Sequence, residues 1–180
     1  KNSNMKRILL IICVLGVCIG ANAQENHAFR KGYRGDVSMG GLIGINKDLR
    51  NDAVSLSTTH GYSYGDGFYI GAEAGVNILF AEGITIPVLA VGKYNFIDYK
   101  ISPFVDCRIG TEALIHNKDS GIALVASPGF GIDYRRLIIR AAYICEAGRF
   151  TENYHQPSYS GNVTSLFKSH SFQIKMGISF

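Results

Sequence analysis

The stretch Ser169-His170-Ser171 is the first place where the sequence could do chemistry, because a histidine lies between two hydroxyl groups. A hydrolase needs a nucleophile and a base within hydrogen-bond reach, oriented by an acid. The stretch belongs to a segment that alternates apolar and polar residues, which is typical of a β-strand. Adjacent strand residues point to opposite faces, so neither serine shares a face with His170. We therefore predict that the protein is not an enzyme. His170 is expected to lie at the outer rim of the strand barrel that is predicted below.

Acidic residues are the second candidate, because paired carboxylates can act as general acid and base. Asp106 with Glu112 forms one such pair, and Glu73 with Glu146 forms another. Arginines in the same alternating series favour a structural explanation, since an unpaired buried charge is very costly and buried charges pair with one another. We predict a structural charge network that consists of Glu73, Asp106, Arg108, Glu112, Arg140 and Glu146.

No metal-ligand spacing, phosphate-binding loop or nucleotide motif occurs in the sequence, so we predict neither a metal nor a cofactor. Two of the four cysteines, Cys107 and Cys145, fall on the fifth and seventh of the strands predicted below. The strand between them separates the two by about 10 Å, which is too far for a disulfide. We predict that both are small buried hydrophobic residues.

The first 23 residues are predicted to be a cleaved signal peptide. Met5 is the expected start, and the residues before it are expected not to be native. Lys6 and Arg7 supply positive charge, the apolar run 8–20 follows, and Ala21-Asn22-Ala23 matches the small-x-small cleavage pattern. The run is too short to span a bilayer, which needs about 20 apolar residues.

A lipoprotein signal with Cys18 as the lipidated residue is the alternative, but Val17 is too bulky for the position before that cysteine. Removing the signal leaves 15 basic residues against 14 acidic ones. This near-neutral balance gives no electrostatic case for binding nucleic acid.

Residues 24–180 are predicted to form one domain of eight alternating strands. The strands are 10 to 14 residues long, whereas soluble strands usually have about 5 to 6. At about 3.3 Å per residue and a tilt of about 40°, eleven residues rise about 28 Å, enough to cross an apolar band about 25 Å tall. The predicted segments are 33–46, 53–62, 68–79, 85–96, 102–113, 121–134, 137–148 and 169–180.

One parity of each segment is apolar and the other collects the charges and many glycines, but alternation alone does not say which faces outward. A soluble lipocalin-like barrel would point its apolar face inward. Only 18% of the residues are charged, which is few for a soluble surface. Aromatic residues also fall at both predicted ends of the strands, as in membrane-interface girdles. We predict a transmembrane barrel, with Pro128 in the sixth strand causing a bulge or marking a wrong strand limit.

The last segment gives the most specific signal, because its apolar parity runs to the final aromatic residue. This parity consists of Phe172, Ile174, Met176, Ile178 and Phe180. Such a strand looks like the signal read by the barrel assembly machinery. With it, residues 24–180 resemble the small eight-stranded outer-membrane β-barrels of Gram-negative bacteria, of the OmpA/OmpX type. Gly32-Tyr33-Arg34-Gly35 is a less diagnostic element of the same resemblance.

The resemblance implies an all-β, antiparallel, up-and-down barrel with a polar interior filled by side chains. It also implies a monomer in the cell outer membrane with lipopolysaccharide as its lipid partner. The barrel assembly machinery and periplasmic chaperones are the implied partners during biogenesis. The favoured function is a non-enzymatic structural role or a role in interaction at the cell surface.

The predicted loop 149–168 is the remaining candidate for activity. It contains Tyr154, His155 and Tyr159, which suit contact with an extracellular protein or a glycan. The same residues equally suit a loop that folds over the barrel mouth. Three alternative functions stay open: a narrow channel, a lipid-modifying enzyme that uses His170, and a soluble periplasmic carrier.

Overall fold

The computed structural model describes residues 29–45, 52–80, 83–116, 119–156 and 159–180, without the side chains of 116–120 and 150–164. The predicted signal peptide, residues 1–23, lies outside the described residues. The strands are β1 (Gly32–Gly44), β2 (Ala53–Ser63), β3 (Phe68–Leu79), β4 (Gly83–Asn95), β5 (Ile101–His116), β6 (Asp119–Tyr134), β7 (Leu137–Gln156) and β8 (Tyr159–Ser179). None of the described residues forms a helix long and apolar enough to cross a bilayer.

The eight strands form a closed antiparallel barrel in which each strand pairs with the next and β1 pairs with β8. This confirms the predicted all-β, up-and-down barrel. The closing seam runs from the pair Asp36 and Ser179 to the pair Gly44 and Ser171. Beyond it, Gly35 and Phe180 exchange two backbone hydrogen bonds of 3.1 and 2.9 Å. Closure leaves no sheet edge, which is the condition for a barrel in lipid.

The hairpin of β7 and β8 is where the prediction of a loop over 149–168 is wrong. The two strands stay paired as far as Gln156 and Tyr159, and they contain 20 and 21 residues. The strands β1 to β4 contain only 11 to 13 residues. The extension was missed because strand residues beyond an apolar band need no period-two alternation.

Pro128 causes no bulge, so that expectation is also wrong. The pairs Ala126–Cys145 and Gly129–Ala142 on its two sides keep one register, and the ladder between β6 and β7 is interrupted only between them. On its other side Pro128 still pairs with Cys107 of β5. A proline lacks one backbone donor, so it removes pairing toward one neighbour and leaves the other intact.

The alternation places the apolar parity on the outer wall of the barrel. Met39, Leu124 and Ile174 on this wall are 62%, 67% and 60% exposed. Cys107 and Cys145 also lie on the wall as free thiols, separated by β6, so the predicted separation is right and the predicted burial is wrong.

A girdle of aromatic side chains surrounds the end of the barrel that carries the short turns at 64–67, 96–100 and 135–136. We call this the short-turn end. The opposite end carries the paired extension of β7 and β8, and we call it the long-hairpin end. Neighbouring rings contact one another, as between Tyr94 and Phe96 at 5.4 Å. The exposed members of the aromatic girdle are Tyr33, Tyr62, Tyr64, Phe68, Tyr94, Phe96, Tyr99, Tyr134 and Phe180.

Candidate functional site

Arg108 lies at the centre of the barrel lumen, where inward positions of β3, β5 and β8 converge. Its Nε donates to Asp106 Oδ2 at 2.8 Å, and its Nη1 forms an ion pair with Glu73 Oε2. The other oxygen of Glu73 accepts from Lys175 Nζ at 2.7 Å. All four side chains are buried, so one carboxylate of β3 neutralises cations from two other strands.

Arg140 extends this network toward β6 and β8. Its Nε donates to both oxygens of Asp106, at 3.0 and 2.7 Å. Its two terminal nitrogens donate to Gln173 Oε1 at 3.1 Å and to Ser127 at 2.9 and 3.0 Å. Asp106 therefore lies between two arginines. Nη1 and Nη2 of Arg140 donate to neutral acceptors, while its Nε donates to the Asp106 carboxylate.

Gly129 makes room for two of these large side chains. A Cβ at Gly129 would lie 2.6 Å from Asp106 Oδ1 and 2.8 Å from Arg140 Nη2. No real Cβ approaches other heavy atoms so closely, so a side chain here would displace the ion pair. Gly129 thus supplies the space that the ion pair of Asp106 and Arg140 occupies.

A second charged layer lies nearer the short-turn end. Lys93 Nζ donates to Asp133 Oδ2 at 2.8 Å, and the same oxygen accepts from Asn95 at 2.9 Å. The ammonium group also lies 4.6 Å from the ring centre of Phe104, a cation–π distance. The predicted network omitted this layer and Lys175, although all three charges have the inward parity that could have identified them.

Glu112 and Glu146, nearer the long-hairpin end, differ from the other predicted members. Glu112 accepts from Asn77 Nδ2 at 3.0 Å and from the Thr85 hydroxyl, and it forms no ion pair with the described residues. Glu146 is half-buried and forms no hydrogen bond or ion pair with the described residues. The structure thus brings Glu73, Asp106, Arg108 and Arg140 together and leaves these two carboxylates outside the ion pairs.

Two small cavities flank Arg108, one on each side, and each has a volume of about 20 Å³. Such a volume holds about one water molecule. Arg108 is the one charged side chain that lines both cavities, so it separates them. The described residues contain no group of three or more His, Cys, Asp and Glu side chains that could hold a metal ion.

The serine–histidine stretch is divided between the two faces of β8. Ser169 and Ser171 are fully buried toward the lumen, whereas His170 lies on the outer wall. There His170 Nδ1 is 3.1 Å from the Tyr143 hydroxyl, and the two rings stack at 5.8 Å. No nucleophile–base pair forms in this stretch.

The remaining predicted site residues lie on β7 and β8. The five predicted assembly-signal residues, from Phe172 to Phe180, are exposed on the outer wall. Tyr154, His155 and Tyr159 lie on the paired extension of the long hairpin, and their side chains are outside the described part of the structure.

Solved structures with the same arrangement identify the fold. Neisserial surface protein A (NspA) superimposes with a TM-score of 0.56 at 12% identity, covering 82% of this chain and 95% of that one. The N-terminal β-barrel domain of Pseudomonas aeruginosa OprF superimposes with a TM-score of 0.50 at 13% identity, covering 84% of this chain and all of that one. Both are small eight-stranded outer-membrane barrels.

The chain has the fold of the small outer-membrane β-barrels. No protein-family model and no curated protein sequence matches the chain. At 12% and 13% identity, these barrels share with the chain an architecture rather than a set of functional residues.

Proposed function

We propose that this protein is a non-enzymatic β-barrel of the outer membrane, with a filled lumen and a structural or cell-surface interaction role. The observation that carries the proposal is the distribution of polarity between the two faces. Glu73 and Arg140 are each 1% exposed, whereas Leu124 on the wall is 67% exposed. In water this arrangement would expose a continuous apolar wall, while in a bilayer the same wall is solvated by hydrocarbon.

Cell fractionation tests this location directly. We expect the protein to stay in membranes washed with urea, to run with heat-modifiable mobility on gels, and to begin at Gln24 after cleavage of the predicted signal peptide. Release with the soluble periplasmic fraction would contradict the proposal and revive the carrier alternative.

The packing of the lumen argues against the narrow channel. Eight strands leave an interior that side chains can fill, and here Arg108 with its ion pairs separates two water-sized cavities. We expect no steady single-channel conductance in planar bilayers. Openings in the wild-type protein that Arg108→Ala or Arg140→Ala abolishes would instead favour a pore.

The length of the long hairpin supports a role in contact at the cell surface. Twenty strand residues at about 3.3 Å each and a tilt of about 40° rise about 50 Å, twice the height of an apolar band about 25 Å tall. About half of the β7–β8 hairpin therefore extends beyond the apolar band, through the headgroups and into the space outside the membrane. We propose that this part, with Tyr154, His155 and Tyr159, contacts an extracellular protein or a glycan.

Protease treatment of intact cells tests the projection of the hairpin. We expect cleavage within 150–165 and a protected barrel core, because the ladder of the other strands lies within the bilayer. A matched variant in which Tyr154, His155 and Tyr159 are all changed to Ser should keep the heat-modifiable barrel and lose any surface ligand. Cleavage only after cell lysis would reverse the proposed orientation.

The position of β8 supports its proposed role as the signal for the barrel assembly machinery. This strand closes the barrel against β1, and Phe180 lies at the end of the seam, where its ring covers Gly35. We expect Phe180→Ser to slow membrane assembly in cells while the purified chain still folds in detergent. Equal slowing by Tyr134→Ser, another exposed ring at the short-turn end, would show that the effect is not specific to β8.

A further inference from the structure

The outer wall is almost free of charge, with one exception on β7 and β8. Among the outward-facing side chains that the structure describes on the eight strands, none is acidic, and only Arg149 and Lys168 are lysine or arginine. Both are exposed, and His170 follows Lys168 on the outward parity of β8. Charges on a lipid-facing wall are costly, so two cations placed together need a reason.

The same two residues line an apolar groove of about 930 Å³ on this wall. The groove runs across β5, β6, β7 and β8, and most of its lining consists of exposed, outward-facing side chains. Its main apolar members, Ile122, Leu124 and Leu166, are 66%, 67% and 80% exposed. A barrel wall is normally convex, so a concave apolar surface with two cations is a shaped feature rather than plain lipid contact.

The register fixes how the two cations lie relative to each other. Arg149 pairs with Leu166, and Lys168 pairs with Ala147, so the cations are diagonal neighbours across the β7–β8 ladder. Diagonal neighbours on one face are about 7 Å apart, close enough to bind one polar group between them or two adjacent groups.

Their height places them at the polar boundary of the bilayer. Arg149 is about 30 Å and Ala147, opposite Lys168, about 25 Å above Leu137 at the short-turn end, with about 3.3 Å per residue and a tilt of about 40°. The cations therefore lie where the headgroups of the leaflet near the long hairpin begin, while Ile122 and Leu124 lie at or below them on the neighbouring strand.

On the basis of the outer-membrane location proposed above, we propose that this groove binds one molecule of a phosphorylated, multiply acylated glucosamine lipid (lipid A) of the outer leaflet. Its acyl chains lie along the apolar floor, and its phosphate groups contact Arg149 and Lys168 through charge-assisted hydrogen bonds. Four strands spaced about 4.8 Å apart give a floor about 14 Å wide, which favours several acyl chains over a single one. Two adjacent cations favour a ligand with more than one phosphate.

Lipid binding by the full mature chain in phosphatidylcholine nanodiscs tests the site, with native mass spectrometry as the readout. The added probe is bisphosphorylated lipid A, and the variant is Arg149→Gln with Lys168→Gln. Losing two charged contacts should weaken binding at least tenfold. The matched control is Arg30→Gln with Lys31→Gln, which removes two exposed cations beyond the short-turn end and should leave binding unchanged.

Three outcomes would overturn the proposal. They are unchanged binding by the Arg149/Lys168 variant, equal binding of lipid A that lacks both phosphates, and equally tight binding of phosphatidylglycerol, which would make the groove a general anionic-lipid surface. Heat-modifiable mobility of the variant separates loss of the site from loss of the fold. Because the lipids are supplied in vitro, failure of the groove is distinguishable from failure of the outer-membrane location, which fractionation measures.

Discussion

The lumen and the outer wall are built from the same eight strands, yet they reverse the polarity that a soluble protein would show. Among the described residues, 22 buried side chains are polar or charged and ten are hydrophobic. The described side chains of the wall are mostly apolar, and their lysine and arginine are restricted to Lys168 and Arg149. Burial here removes a side chain from lipid as well as from water. Stability therefore depends on pairing charges inside and on keeping charges off the wall.

The largest effect is expected in the lumen, from the change Glu73→Gln. It leaves Arg108 and Lys175 buried without their shared carboxylate, and breaking a buried ion pair from one side costs about 3–5 kcal/mol. Urea unfolding of the barrel in lipid vesicles measures this loss. The matched control is Glu146→Gln, because Glu146 has no ion pair with the described residues. Equal losses from both changes would show that the Glu73 ion pairs contribute nothing.

A charge on the wall is expected to have the next largest effect. Ile174 lies about 13 Å above Ser179 at the short-turn end of β8, near the middle of an apolar band about 25 Å tall. It is 60% exposed, so Ile174→Lys places an ammonium group in the hydrocarbon. The free energy of folding into vesicles should fall by about 2–4 kcal/mol. The control is Ile101→Lys at the short-turn end, where the cost should be about 0–1 kcal/mol. Equal costs at the two positions would place the bilayer elsewhere on the wall.

The closing seam should respond less strongly, through the contact between Gly35 and Phe180. A Cβ at Gly35 would lie 2.7 Å from the Phe180 ring, so Gly35→Ala displaces the ring at a cost of about 1–3 kcal/mol. Gly92→Ala is the control, since nothing lies within 4 Å of a Cβ there. In a double-mutant cycle, Phe180→Ala should remove most of the cost, and a fully additive cycle would exclude the contact as its cause.

The smallest effect is expected from a neutral hydrogen bond on the wall. Tyr143→Phe removes the hydroxyl group beside His170 Nδ1, which should cost about 0.5–1.5 kcal/mol. Tyr94→Phe is the control, because the Tyr94 hydroxyl forms no hydrogen bond with the described residues. A loss for Tyr143→Phe as large as that for Glu73→Gln would remove the distinction between the two faces.

The sequence alone was sufficient to predict which side chains of each strand face the lumen. It was insufficient to predict which of these side chains pair with one another. Alternation identifies eight strands and the parity of Glu73 and Arg108, because it reports the environment of each side chain. Their ion pair joins β3 to β5 across the lumen, and Lys175 reaches the same carboxylate from β8. Such contacts depend on register and barrel closure, which no local pattern encodes.

The hairpin and the second charged layer were missed for different reasons. Beyond the apolar band, β7 and β8 need no alternation, so their extension to Gln156 and Tyr159 carries no periodic signal. Lys93 and Asp133 do have the inward parity, but their pairing across the lumen needs the closed structure. The prediction for Pro128 was wrong because the pairing of two strands can be interrupted at a proline without a change of register.

The two interruptions in the ladder have a mechanical consequence. The pairing of β6 with β7 lapses at Pro128, and the pairing of β3 with β4 lapses between Ala74–Val88 and Asn77–Thr85, beside Pro87. The pairs of β4 with β5 and of β5 with β6 continue without a gap. We therefore expect the cylinder to be least stiff along two lines on its circumference, with the panel of β4, β5 and β6 between them moving as one body. Lateral pressure from the bilayer would flatten the cross-section by bending at those lines.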